Sequence, residues 1–142
     1  KMTEPNKSGM KPGMTYQRTI TVDDGRAISF MGDDLRVYAT PHVVSDLEYA
    51  CRDFIKEHLP EGQDSVGSHV EIRHLKPTPM GCKARHELTV AKVEGRSITC
   101  SIEVFDDLEK VATASHTRFV VDMDRLGKAI AQKREAIEKA NT

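Results

Sequence analysis

Thr40, Glu48 and His74 are the residues whose types and spacing could do chemistry in this chain. In the run from Thr40 to Ile55 the apolar residues recur at helical spacing, and Glu48 lies three or four residues from Val44 and Cys51 and seven from Ile55. It therefore shares their face. An unpaired buried charge costs several kcal/mol as an order of magnitude, so the carboxylate is hydrogen-bonded, paired or neutral, or else sits at the rim of the stripe with its head in water. Thr40 precedes Pro41, the pairing of an N-cap hydroxyl with proline at the first helical position. There the free backbone N–H groups and the positive dipole end favour an anion or a polarised carbonyl oxygen, although a plain cap has the same signature. His74 closes an alternating run beside a proline-rich turn, a place that suits an acid/base group near neutral pH as well as a satisfied edge histidine.

Two further positions join them. Gly67 interrupts a strand pattern with no turn role, which marks either a bulge or a close approach of a ligand to the backbone. Arg118 and His116 share a face of the last strand with Ala112 and Ala114, so the arginine either meets a phosphate or carboxylate or lies on a solvated face. The other histidines are scattered at non-ligand spacing, and no metal site is expected.

The elements that must position these groups are readable. Met14 to Val22 alternates as a strand and ends at Asp23-Asp24-Gly25; a helix runs from the Thr40-Pro41 cap to about Leu59, where Pro60-Glu61-Gly62 stops it. From Ser65 the period changes to two, placing Val66, Ser68, Val70, Ile72 and His74 on one face. Strands over about Cys82 to Val93, Arg96 to Asp106 and Val111 to Val121 follow, the first two joined by the tight Glu94-Gly95 connection. A C-terminal helix from about Asp122 to Ala140 carries Leu126, Ala129, Ile130, Lys133 and Ile137 as its amphipathic stripe. One strand, one long helix and an antiparallel meander describe an α+β domain whose sheet wraps a central helix. Residues 1–11 are polar and aperiodic and are expected to be a disordered lead to a single domain over 12–142.

Composition narrows the partners. The chain has 142 residues, and 21 Lys plus Arg against 22 Asp plus Glu leave a formal net charge of -1, which gives no electrostatic reason to expect nucleic acid or a membrane surface. No stretch approaches the ~20 apolar residues of a membrane helix, and no export signal opens the chain. Cys51, Cys82 and Cys100 are odd in number and widely spaced, so reduced thiols and a cytoplasmic location are expected. There is no G-x-G-x-x-G, P-loop, H-E-x-x-H or G-x-S-x-G pattern.

Several separated motifs keep order and register: Tyr38-Ala39-Thr40-Pro41, Glu48-Tyr49-Ala50-Cys51, Val66-Gly67 leading to His74, Thr78-Pro79-Met80-Gly81, Val93-Glu94-Gly95-Arg96 and His116-Thr117-Arg118. Over about residues 12 to 135 the chain resembles the fluoroacetyl-CoA thioesterase family of hot-dog-fold proteins. The resemblance implies a hot-dog fold, a homodimer with acyl-CoA sites at the subunit interface, and thioester hydrolysis by a set mapping onto Thr40, Glu48 and His74. It also implies that Gly67 and Arg118 contact the acyl-CoA and that neither a metal nor a cofactor is needed, CoA being part of the substrate. Such hydrolysis requires a nucleophile or oriented water, a proton carrier for the leaving thiolate, and donors for the oxyanion. Attack by carboxylate, hydroxyl or water stays open, and so does the acyl group. A hot-dog dehydratase or hydratase and a non-catalytic acyl-CoA-binding protein are the competing readings.

Overall fold

The computed structural model describes residues 8–142. Strand β1 (Thr15–Thr21) is followed by two single-turn 3₁₀ helices, Asp24–Arg26 and Asp33–Leu35, and by the long helix α1 (Thr40–Lys56). Strands β2 (Gln63–His74), β3 (Lys83–Glu94), β4 (Ser97–Phe105) and β5 (Lys110–Asp122) then form a meander, and α2 (Met123–Ala140) closes the chain. The five strands make one antiparallel sheet in the order β1-β3-β4-β5-β2, with α1 packed mainly against β2. This is the hot-dog arrangement expected above.

The helix forms where its apolar stripe can be buried. Val43, Leu47, Ala50, Cys51, Phe54 and Ile55 are all buried and meet Leu88 and Val90 of β3 and the Ile98, Cys100, Ile102 and Val104 row of β4. Each large aliphatic side chain removed from water there stabilises by about 1.5–3 kcal/mol, so Leu47→Ala in the middle of the stripe would cost about 2–5 kcal/mol once the cavity is included. The segment expected as a disordered lead extends into the described residues, and its Met10 is fully buried in the same core, with Ser8 also buried. The rest of that segment, residues 1–7, lies outside the described residues.

Two local expectations are corrected. The cap of α1 is Ala39, not Thr40, and it offers no side chain to the helix N-terminus; Thr40 and Pro41 are the first helical residues, so the threonine hydroxyl is released from capping. In β2 the register slips between Gly67 and His69, leaving Ser68 as the extra residue of a bulge against β5. The bulge exchanges the faces. Ser65 and Gly67 pair with Val120 and Arg118, whereas beyond it Val70, Ile72 and His74 pair with His116, Ala114 and Ala112, so all of these point inward and Val66 points outward with Phe119. An uninterrupted alternation puts Val66, Ser68 and Val70 on one face; the bulge at Gly67 prevents it.

At the end of β5 the chain turns into α2 with no buried residue on the helix, and Ile130 and Ile137 are exposed. Of the amphipathic stripe expected there, Leu126 is half-buried beside the end of β5, while Ala129, Ile130, Lys133 and Ile137 are exposed. Among the described residues no helix is long and apolar enough to cross a membrane.

Candidate functional site

Thr40 and His74 meet. The end of β2 brings the imidazole against the first turn of α1, and His74 Nδ1 lies 2.7 Å from Thr40 Oγ1. If the hydroxyl donates, Nδ1 accepts and the ring proton sits on Nε2; that Nε2 atom is buried and has no hydrogen-bond partner among the described residues. Burial pushes the imidazole below its ordinary value, so near neutral pH it is an acceptor, as a base must be. The pair lies in an open depression of about 340 Å³ whose wall is mostly carbon, including Ile28, Phe30, Val37, Leu75 and Pro77.

Glu48 is elsewhere on the same helix. Eight residues at ~1.5 Å rise separate it from Thr40 by about 12 Å, and it lines a second cleft of about 670 Å³ between α1 and β2 with Ser65, Gly67, Tyr49, Arg52 and Arg118. It is half-buried, at the rim of the apolar stripe. Its carboxylate lies against Gly67: a Cβ built on that glycine would stand 3.2 Å from Glu48 Oε2 and 3.1 Å from His116 Cε1. The missing side chain is thus what lets the carboxylate reach the strand.

Arg118 and His116 are buried, so the solvated-face reading fails. The guanidinium donates through Nε to Ser65 Oγ and through Nη2 to the Ser65 carbonyl, both at 2.7 Å. His116 Nδ1 lies 2.7 Å from the His69 carbonyl and must carry the proton, which leaves Nε2 to accept from Arg118 Nη1 at 3.1 Å. A neutral ring is required for that acceptor, and burial does hold His116 below its ordinary value. Burial also lowers Arg118. The alternation of β5 carried the signal for this cluster; the bulge that joins it to Ser65 did not show its depth.

A second polar cluster lies beside the first turns of α1. Tyr38 Oη donates to Asp46 Oδ2 and accepts from His86 Nε2 at 3.0 Å, and Arg26 grips the same carboxylate through Nε at 2.8 Å and Nη2 at 3.1 Å. Burial pushes His86 down to about 4 and pushes the Tyr38 phenol up. Sequence reasoning placed Tyr38 in a motif but missed this network, because Arg26, Asp46 and His86 come from three elements with no shared periodicity.

The family model of the fluoroacetyl-CoA-specific thioesterases matches residues 22–124, which spans every residue of both clefts. The fluoroacetyl-CoA thioesterase of Streptantibioticus cattleyicolor is 23% identical over 137 residues, covering 92% of this chain and 99% of that protein. A crystal structure of a hot-dog-like protein from Thermanaerovibrio acidaminovorans superposes with a TM-score of 0.80 at 25% identity, over 86% of this chain and 91% of that one. A solved structure of the fluoroacetyl-CoA thioesterase FlK gives 0.79 at 22% identity, over 88% and 98%. A thioesterase superfamily member from Thermus thermophilus gives 0.82 at 23%, over 91% and 96%. The chain belongs to the fluoroacetyl-CoA-specific thioesterase family, a family of thioester hydrolases.

Proposed function

We propose that the protein hydrolyses an acyl-CoA to free acid and CoA at a site completed by two copies of the chain, with Thr40 and His74 from one and Glu48 from the other. The observation that carries this reading is the split geometry: the Thr40–His74 pair is formed, His74 Nε2 is buried without an acceptor, and the carboxylate that could serve it sits about 12 Å along the helix in a different cleft. A two-fold arrangement that brings a second α1 alongside supplies the missing acceptor, and the edge position of β2, with Val66 and Val70 exposed, supports pairing of that strand across the axis.

In the proposed reaction the thioester carbonyl carbon is attacked by water, by the Thr40 hydroxyl or by the Glu48 carboxylate, and the C–S bond breaks as the tetrahedral intermediate collapses. His74 takes the proton released by the attacking hydroxyl or water and returns it to the departing CoA sulfur; for carboxylate attack, the following hydrolysis of the anhydride supplies that proton. Single turnover in heavy-oxygen water separates the carboxylate route from the other two: label in Glu48 marks an anhydride, whereas product-only label fits direct water attack or hydrolysis of an acyl-threonine. Arg118, held by Ser65 and His116, and the open Gly67 position are proposed to contact the acyl-CoA. No metal or cofactor takes part in this scheme. Free Cys51, Cys82 and Cys100 favour a reducing, cytoplasmic setting.

Co-expression of Thr40→Ala and Glu48→Gln chains with different tags tests the sharing. Each variant alone is expected to lose thiol release, whereas mixed dimers keep one intact site, so a random mixture recovers about a quarter of wild-type activity. No recovery rejects the shared site; wild-type protein that binds CoA esters and releases no thiol rejects hydrolysis itself.

A further inference from the structure

We infer that His116 is a positioning residue for the reaction: as an uncharged acceptor for Arg118 Nη1 it keeps that guanidinium from capturing the Glu48 carboxylate, so that Glu48 stays free to act on the thioester. The assignment rests on the hydrolase reading above and on the part given there to Glu48. Three groups converge over Gly67. A Cβ built on that glycine would stand 3.1 Å from His116 Cε1, 3.2 Å from Glu48 Oε2 and 3.6 Å from Arg118 Nη1. A cation and a carboxylate so close to one point are expected to pair, the more so because a buried guanidinium gains most from a counter-charge. Among the described residues they do not pair, and all three of the guanidinium's bonds go to uncharged acceptors.

The ring decides the outcome. Ser65 holds Nε and Nη2 through its hydroxyl and its carbonyl, whereas Nη1, the nitrogen that approaches Gly67, has His116 Nε2 as its acceptor. Without that acceptor an N–H of Nη1 is left unpaired beside Glu48, whose carboxylate ends a flexible side chain and moves to take it. The carboxylate is then held by Arg118 instead of being presented to the substrate. His116 can prevent this in one tautomer only. The His69 carbonyl, just past the bulge residue Ser68, fixes that tautomer, because a carbonyl accepts and never donates, so Nδ1 carries the proton and Nε2 keeps its lone pair. Both His116 and Arg118 are buried within the single chain, so the arrangement exists before any second copy is added.

Two amide variants separate positioning from a structural role. His116→Asn keeps a donor for the His69 carbonyl but cannot reach Arg118, whereas His116→Gln places an uncharged acceptor near the Nε2 position and leaves the His69 carbonyl without its donor. Thiol release per folded molecule, from an acyl-CoA that the wild type hydrolyses, is expected to show kcat about 10- to 100-fold lower in His116→Asn with KM within about threefold, and most of that loss recovered in His116→Gln. Because the ring acts through Glu48, adding His116→Asn to Glu48→Gln should change kcat by less than about twofold. Independently of any variant, 15N NMR of the wild-type ring at the assay pH should show the neutral tautomer protonated on Nδ1. A structural ring gives the opposite ranking of the two amides or losses that multiply, and either result overturns the inference, as does full activity in His116→Asn, a charged ring or the other tautomer. Those results leave hydrolysis standing; thiol release from no acyl-CoA by the wild type removes the hydrolase reading and this role together.

Discussion

Two polar networks, one half-buried and one buried, flank α1, and they treat charge in opposite ways. Around Asp46 the carboxylate is enclosed by its donors: Arg26 bidentate, Tyr38 beside it, and His86 behind the tyrosine. Around Arg118 the guanidinium is buried more deeply, yet it meets a serine and a neutral histidine, and no ion pair to a carboxylate forms among the described residues. Its nearby carboxylate, Glu48, opens onto a cleft instead. A buried charge left without its counter-charge costs several kcal/mol, so the first network reads as a brace and the second as a site kept incomplete for a ligand. The brace has a target, since Tyr38 and Asp46 bracket Thr40 in sequence and Arg26 accepts the Ala39 N–H through its carbonyl at 2.9 Å.

The sharpest way to break this contrast is to neutralise one carboxylate in each network. Glu48→Gln should lower thioester turnover by about 10²- to 10⁴-fold with little change in unfolding free energy. Asp46→Asn should do the reverse, costing about 1–3 kcal/mol in denaturant unfolding because it takes the carboxylate charge from a half-buried, hydrogen-bonded pair, while turnover per folded molecule changes less than about tenfold. If the stability loss follows Glu48 and the activity loss follows Asp46, the assignment of brace and site is inverted.

Acid separates the networks next. His86 titrates at about 4 in the folded protein against an ordinary 6.5, because burial opposes its charged form. The unfolded chain therefore binds this proton first as pH falls, and stability present above pH 6.5 is lost progressively down to about pH 4, on the order of 3 kcal/mol from this group. His116 and His74 are also held low by burial and add loss in the same direction. In His86→Gln the pH dependence of unfolding should become shallower between those limits; a curve that superposes on the wild type shows that the ring behind Tyr38 is not what titrates.

Much of this architecture was legible in the sequence, and the reason is periodicity. The Val43, Leu47, Ala50, Phe54 stripe and the Ile98, Cys100, Ile102, Val104 row each repeat within one element, so β4 is found within one residue of its expected limits and α1 within three, ending at Lys56 rather than at about Leu59. What periodicity cannot show is where a register slips or how elements converge. The bulge after Gly67 reverses the faces of β2, and no count along the strand reveals it, although the glycine flags the place. Thr40, Glu48 and His74 were each identified from residue type and local position, but their separation into two depressions follows from the three-dimensional path of β2 past α1. Likewise, the apolar groove at Phe30 lies in a loop with no repeat to read.

Gly67 offers the finest test of the open network. Its backbone is not in the left-handed region, so alanine there meets no conformational penalty, and the effect must come from contact alone. The added methyl would stand 3.1 Å from His116 Cε1 and 3.2 Å from Glu48 Oε2, and one neighbour has to give by a few tenths of an ångström. His116 is held at both nitrogens, by the His69 carbonyl and by Arg118, whereas the carboxylate is the far end of a flexible side chain. Glu48 therefore yields. Gly67→Ala should lower kcat/KM by about tenfold, equivalent to about 1.4 kcal/mol, with unfolding changed by less than about 1 kcal/mol. A drop carried by kcat points to a displaced carboxylate, one carried by KM points to the methyl occupying substrate space, and unchanged kinetics means that the closeness of Glu48 to this strand is incidental to the reaction.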